Sequence, residues 1–189
     1  MDGIELMAGA MHAAQARLDV SAANLANVSS AGFQRRVAHA TLGARGLSVS
    51  TTPVREQGPL EHTGRALDLA AVGGTFYVRD AGGAAVAERS ASFSLDRAGR
   101  VVDERGRVLL GRDGPARAGA DGTLDAQSLR ITPGATVESG FLERSNVDAI
   151  HEMVDVLSAQ RAFETAQKTL SAIDETRAKD VNDVARVKA

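Results

Sequence analysis

Asn24-Leu25-Ala26-Asn27-Val28-Ser29-Ser30-Ala31-Gly32-Phe33-Gln34-Arg35-Arg36 decides how the rest of the chain is read. An apolar helical pattern runs into this stretch and breaks there. Upstream, Ile4, Met7, Met11, Ala14, Leu18, Ser21, Leu25 and Val28 recur at alternating spacings of three and four. That is the period of a coiled-coil seam, with Ser21 as its one polar member. Asn27, Ser29 and Ser30 offer side-chain groups to the amides and carbonyls freed where a helix ends. Gly32 is expected to take a backbone conformation closed to larger residues. Phe33, one of only five phenylalanines, is expected to plug an apolar pocket at the joint. A catalytic loop or a phosphate site would need residues that this stretch does not supply.

A second helical pattern closes the chain. Ser145-Asn146-Val147-Asp148 predicts an N-cap at Ser145 with an acidic residue three positions on. Val147, Ile150, Val154 and Leu157 form one stripe. Val156, Ala159, Phe163, Ala166, Leu170, Ile173, Arg177, Asp180, Val184 and Val187 form another, offset in register. The offset reads as a slip in heptad phase. Arg177 and Asp180 interrupt the second stripe and predict weaker last turns. A seam of this kind needs a partner helix. The two ends are expected to pack on each other and also on other copies.

The middle reads differently. Residues 32–144 hold 17 of the 19 glycines and all four prolines. Hairpin signals follow one another: Leu67–Val72 leads through Gly73-Gly74 to Phe76-Tyr77-Val78, and Asp80-Ala81-Gly82-Gly83 marks a turn. A short repeat, Asp96-Arg97-Ala98-Gly99-Arg100-Val101-Val102 then Asp103-Glu104-Arg105-Gly106-Arg107-Val108-Leu109, reads twice as turn then strand. Asp121-Gly122 and Pro133-Gly134 add turns. The fold class expected is α+β: a discontinuous coiled-coil domain from residues 1–31 and 145–189, with a linker and small antiparallel β-domain inserted at 32–144.

Composition narrows the function. The 189 residues carry a formal net charge of -2, which gives no reason to expect nucleic acid as partner. There is no cysteine, so disulfides, thiolate catalysis and cysteine zinc sites are excluded. No run approaches the ~20 apolar residues of a spanning helix, so membrane insertion is not expected. Asp2 and Glu5 stand where a secretory signal would be positive. Aromatic residues make up only 3%. Many small contacts must replace large anchors.

Catalytic constellations do not assemble. His12, His39, His62 and His151 do not fall at metal-ligand spacing. His151-Glu152-Met153-Val154-Asp155 begins like a zinc-peptidase helix, but Asp155 stands where the second histidine belongs. Asp96, Asp103 and Asp121 are explained by turn chemistry without calcium. No P-loop, nucleophile elbow or dinucleotide fingerprint occurs, and no cofactor is expected. Arg35-Arg36 is a small basic patch that suits a solvated face or pairing with carboxylates across an interface.

Residues 24–33 resemble the N-terminal signature of bacterial flagellar rod, hook and hook-associated proteins. Gly64-Arg65-Ala66-Leu67-Asp68-Leu69 with Gly74-Thr75-Phe76-Tyr77-Val78 resembles the start of the β-domain in rod proteins. Leu142–Asp148, Glu152-Met153-Val154 and Ala159-Gln160-Arg161-Ala162-Phe163-Glu164 resemble their C-terminal signature. The three matches are collinear. The resemblance implies terminal helices that line a tube, an outer β-domain, and a structural, non-enzymatic subunit of the basal-body rod that transmits torque. It implies export through the flagellar type III apparatus without a cleaved signal, a place in the basal body outside the cytoplasm, and partners among its own copies and other rod or hook proteins. The short segment after Arg36 points to the proximal rod type, then the distal type, then a divergent hook-like subunit. A coiled-coil-tethered β binding module and a cell-wall hydrolase are the other classes weighed. The assembly interface is expected at Ile4, Met7, Met11, Leu18, Asn24, Leu25, Asn27, Val28, Gly32 and Phe33 in the first half. In the second it is expected at Ser145, Asn146, Val147, Met153, Val156, Gln160, Phe163, Leu170 and Ile173.

Overall fold

The computed structural model describes residues 3–43, 46–119 and 122–187, with side chains described up to residue 179. The periodic ends form the two long helices, α1 (Gly3–Ala26) and α2 (Ala149–Val187). Between them, among the described residues, lie eleven strands and one short 3-10 turn. By their contacts the residues form two compact units, one of Met1–Ala26, Arg35–Val54 and Val147–Ala189, the other of Asn27–Gln34 and Arg55–Asn146.

The first unit is an antiparallel helix pair with a hairpin. A Cβ on Gly3 would come within 3.8 Å of Ile173. At the other end, Val20 and Ser21 share a groove with Ser158 and Ala159. Ala13 and Ala14 of α1 and Ala159 and Ala166 of α2 are the buried apolar residues of the pair. Such small side chains let two helices approach closely, as the alanine-rich flanks predict. Strands β1 (Arg36–Gly43) and β2 (Gly46–Pro53) pair from Arg36↔Pro53 to Gly43↔Gly46. The hairpin lies close against α1, where a Cβ on Gly9 would meet Leu47 Cβ at 3.0 Å. Two short strands are marginal alone, so α1 supplies the surface this hairpin needs.

The start of α2 differs from the expected cap. Asp148, not Ser145, caps the helix: its Oδ1 accepts from Ile150 N at 2.8 Å and His151 N at 3.2 Å. A cap carboxylate reaches the second and third amides of the helix, which places the cap directly before Ala149. Ser145 is three residues too early and lies buried in the other unit. Backbone helix continues past Arg177 and Asp180 to Val187. The side chains of Asp180, Val184 and Val187 lie outside the description.

The second unit is the β-rich one. Its strands are β3 (Leu60–His62), β4 (Asp68–Val72), β5 (Phe76–Arg79), β6 (Ala85–Glu88), β7 (Ser90–Leu95), β8 (Val101–Asp103), β9 (Val108–Leu109), β10 (Thr136–Ser139) and β11 (Phe141–Glu143). Seven form an antiparallel sheet in the order β10-β4-β7-β8-β9-β5-β6, and β11 pairs with β3. The expected hairpin across Gly73-Gly74 does not form, because β4 pairs with β7 and β10 while β5 pairs with β6 and β9. The two glycines instead turn the chain away: Gly73 has φ 73°, and a Cβ on Gly74 would lie 2.6 Å from Ala135 Cβ. Leu69, Phe76, Val78, Phe93, Val101, Leu109 and Leu129 fill the core. Phe76 and Phe93 meet edge to face at 5.8 Å, so two of the few aromatics anchor this unit.

Turn chemistry accounts for the internal repeat. Asp96 Oδ1 accepts from the amides of Ala98 and Arg100, and its Oδ2 pairs with Arg100 Nε. Asp103 repeats all three bonds with Arg105 and Arg107. Pro133-Gly134 closes a turn through Ala135 N and Thr132 O at 3.0 Å. Asp121 lies outside the described residues, while Gly122 N donates to Gly119 O at 3.0 Å.

Glu143 binds distant segments of this unit together. Its carboxylate accepts from Gly58 N at 2.9 Å and Arg89 Nε at 3.1 Å. Its carbonyl accepts from Gly32 N at 2.7 Å, and its amide donates to Ser90 Oγ at 2.8 Å. The residue is buried, with Arg89 as its countercharge. Removing such a carboxylate strands a largely buried cation and a buried amide. Glu143→Ala is therefore expected to lower unfolding stability by about 3 kcal/mol, read from urea titrations, with Glu143→Gln intermediate.

Candidate assembly surface

Asn24 is fully buried at the end of α1. Its Nδ2 donates to Arg36 O at 2.8 Å, and its Oδ1 accepts from Arg36 N at 2.9 Å. Arg36 stands opposite Pro53 in the hairpin, and the neighbouring ladder bond runs from Val54 N to Arg35 O at 2.7 Å. The amide and carbonyl of Arg36 thus meet the side-chain amide, which presents a donor and an acceptor as a peptide group would. The first residue of β1 gains the partner that an edge strand lacks.

Arg35 fastens the same region to α2. Its Nε lies 2.5 Å from Glu152 Oε1, and its Nη2 lies 3.1 Å from Asp155 Oδ2. Glu152 is fully buried and Asp155 half exposed. The carboxylates of the incomplete zinc-like pattern are thus engaged by a guanidinium, and its histidine by Asp148, with Nδ1 to Oδ2 at 2.8 Å. A groove of about 320 Å³ opens beside them, lined by Arg17, Ser21, Arg36, Val37, Asp155 and Ala159 among others.

The cap carboxylate has an acid-sensitive consequence. Asp148 titrates below the ordinary aspartate value, first through the hydrogen bond from the His151 side chain, then through the amides of His151 and Ile150. A lowered folded value means that Asp148 stabilises the helix above the ordinary carboxyl range and loses that effect as pH falls through its folded value.

The expected interface residues divide among three environments. On α1, Ile4, Met7, Met11, Leu18 and Leu25 are half-buried, and Asn24 is buried. On α2, Val156, Phe163, Leu170 and Ile173 are half-buried and alternate with buried Glu152, Ala159 and Ala166. That second stripe faces α1. In the β-rich unit lie Asn27, Val28, Gly32, Phe33, Ser145 and Asn146. There Gly32 has φ 68°, Phe33 is half-buried with its carbonyl accepting from Asn146 N at 3.4 Å, and Asn146 Nδ2 donates to Glu56 O at 2.9 Å. Ser30 Oγ donates to Asn27 Oδ1 at 3.1 Å within the turn. Val147 is buried and Gln160 exposed.

The first stripe of α2 has a different fate. Ile150, Met153, Val154 and Leu157 are 75%, 53%, 55% and 56% exposed. At about 100° per residue they centre roughly 140° around the helix from the face of Glu152, Val156 and Ala159. Sequence periodicity identified both stripes but not which one α1 covers. It also missed Glu152 and Asp155 as partners of Arg35, although the 3–4 spacing of Glu152 from Val156 and Ala159 puts Glu152 on the same face as the second stripe.

Residues 4–34 match the family described as flagella basal body rod protein. Residues 138–184 match the flagellar basal body rod FlgEFG protein C-terminal family. The chain is similar to the flagellar basal-body rod protein FlgF of Mesorhizobium japonicum, 27% identical over 92% of this chain and 95% of that protein. It is also similar to FlgG of Agrobacterium fabrum, 26% identical over 93% and 96% of the two chains. FlgF of Escherichia coli is 26% identical over 82% and 87%. The alignment with the first of these runs over 236 positions although this chain has 189 residues, so that relative carries stretches absent here.

Two measurements test the geometry. Asn24→Ala is expected to cost about 2 kcal/mol in urea unfolding and to speed hydrogen exchange at the Arg36 amide. The natural chain is expected to lose helical circular dichroism as pH falls below about 4, and Asp148→Asn is expected to flatten that loss.

Proposed function

We propose that this chain, a member of the flagellar basal-body rod family, is a rod subunit that polymerises into a helical tube and transmits torque. The observation that carries this reading is the placement of the two family matches. One covers α1 and the loop after it, and the other covers β11 and nearly all of α2. The matched helices are the two that pair in one unit. Its place is the flagellar basal body, and its role there is structural. The helices provide length and stiffness, while the β-rich unit provides a separate packed body.

The finer assignments extend this reading. The interface residues expected from the sequence serve as assembly contacts along both helices and in the segments 27–34 and 145–147. The partners are further copies of the chain and neighbouring rod or hook proteins. The flagellar export apparatus delivers the chain to its place outside the cytoplasm, and no catalytic step is assigned to it. The proximal rod type is favoured by the short course from Arg36 to Gly64, which β1, β2 and β3 fill without a longer insertion. The distal type stays the alternative, because relatives named FlgF and FlgG match to nearly the same identity.

Deleting the gene and imaging isolated basal bodies tests the role. Loss of rods and of swimming, restored by the natural chain, supports it, and intact rods in the deletion strain overturn it. Within that strain Gly32→Val and Phe33→Ala are expected to reduce rod formation more than secretion of the subunit. A Cβ at Gly32 would meet Ser90 O at 3.3 Å in a left-handed backbone that valine strongly disfavours. Counting rods per cell alongside secreted subunit separates the two effects.

A further inference from the structure

We propose that Asp113-Gly114 is a site of spontaneous backbone modification, where aspartate converts to isoaspartate through a cyclic imide. The proposal is independent of the rod-subunit reading, because it concerns one turn of the β-rich unit. Aspartate before glycine is the most susceptible pair, since glycine puts no side chain over the attacking nitrogen. The sequence holds three such pairs, Asp2-Gly3, Asp113-Gly114 and Asp121-Gly122, and Asp2 and Asp121 lie outside the described residues. The reaction needs a carboxyl group free to turn back and a following amide free to attack. Asp113 is exposed, and its carboxylate has no hydrogen-bond or ion-pair partner among the described residues. Gly114 N donates no hydrogen bond there either, although Gly114 O accepts from Gly111 N at 2.7 Å. A Cβ built on Gly114 would meet nothing within 4 Å, so the approach is open. Other turn aspartates are held. Asp80 Oδ1 accepts from Ala84 N, Asp125 Oδ1 accepts from Gln127 N, and Asp96 and Asp103 each hold two amides and an arginine. At Asp121-Gly122 the pair is the same, but Gly122 N is engaged by Gly119 O at 3.0 Å.

The step balances with water as its one co-reactant. Gly114 N attacks the carboxyl carbon of protonated Asp113. A new C–N bond closes a five-membered ring, and the amide proton leaves with the carboxyl hydroxyl as water. Water then opens the ring at one of its two carbonyls. Opening at the Asp113 side-chain carbonyl restores aspartate. Opening at the main-chain carbonyl of Asp113 leaves Gly114 bonded through Cγ, inserts a methylene into the backbone and frees a main-chain carboxylate. Nothing is oxidised or reduced. The turn has little use for the extra length. The Gly111–Gly114 bond closes it, inside the Leu110↔Pro115 bridge. Directly beyond, Ala116 N donates to Leu109 O at 2.8 Å, and Ala116 is buried in the core of the unit. A longer backbone at Asp113 therefore loosens the return of the chain onto β9.

The second Asp-Gly pair supplies a control within the same molecule. The purified full-length chain is held for several weeks at neutral pH and physiological temperature, and isoaspartate at each pair is measured by isomer-resolving peptide mapping. In the folded chain Asp113 is expected to convert about fivefold faster than Asp121, the rate equivalent of one net hydrogen bond at the Gly122 amide. In concentrated urea, where neither amide is held, the two rates are expected to converge. Asp113→Glu cannot close the five-membered ring and serves as the blank for its peptide. The isoaspartate form, separated by chromatography, is expected to exchange the Gly111 amide faster than the parent, and unchanged exchange there overturns the loosening of the turn. Conversion at Asp113 no faster than at Asp121 in the folded chain overturns the site. An excess at Asp113 that persists unchanged in urea also overturns it, because sequence and not the turn would then set the rate. Either failure leaves the rod-subunit role standing, and intact rods in the deletion strain would leave this site standing.

Discussion

A buried carboxylate has to be met from several directions, and Glu143 meets that demand by drawing distant segments together. Gly58 and Arg89 satisfy its oxygens, while its own peptide groups hold Gly32 and Ser90. Arg89 in turn donates to Arg55 O at 2.9 Å. The segments so joined include those through which the chain leaves and re-enters the β-rich unit. Residues 27–34 are one excursion, Arg55 opens the next, and Asn146 closes the last. One charged side chain thus fixes segments that the strands of the main sheet leave free. Gly58 shows how tightly they close, since a Cβ there would stand 2.1 Å from Arg144 O.

The helical unit solves a related problem with neutral and charged partners. Its apolar interior is mostly alanine, and each alanine buries little surface. The pair therefore depends on length and close approach. Asn24 and Arg35 lock one end of it. Asn24 completes the backbone of Arg36, and Arg35 neutralises Glu152. A buried carboxylate with one strong partner adds little net stability but penalises any other register of the two helices. Sliding α2 by one turn would take Glu152 away from Arg35 and leave its charge buried alone. The polar members of an otherwise apolar seam are thus suited to setting register.

Periodicity made the helices legible, because an apolar repeat of three and four has no other economical explanation over so many turns. The turns of the repeat at Asp96 and Asp103 were legible for the same local reason: an aspartate two residues before an amide closes its own loop. Strand pairing was not. Gly73-Gly74 looks like a hairpin turn, but whether it closes one depends on partners far away in sequence, here β7, β9 and β10. The hairpin at 36–53 gave little signal because its Ser and Thr residues are exposed and its apolar residues are half-buried or, at Leu42, exposed. Ser145 resembled a cap by composition, yet Asp148 stood one residue before the first turn and took the amides. Of the interface residues named from sequence, those on the seams were found by period. The hydrogen-bonding roles of Asn24 and Asn146 depend on backbone groups that only folding brings near.

The two stripes of α2 differ in what they do for the fold. A stripe that serves only the fold would end where α1 ends its cover, and the seam from Glu152 to Ile173 does so against a helix beginning at Gly3. A second stripe on the far side gives the monomer nothing and carries a solubility cost. Its retention over just two turns, bounded by charged residues, limits that cost to a patch of ordinary size for a monomer.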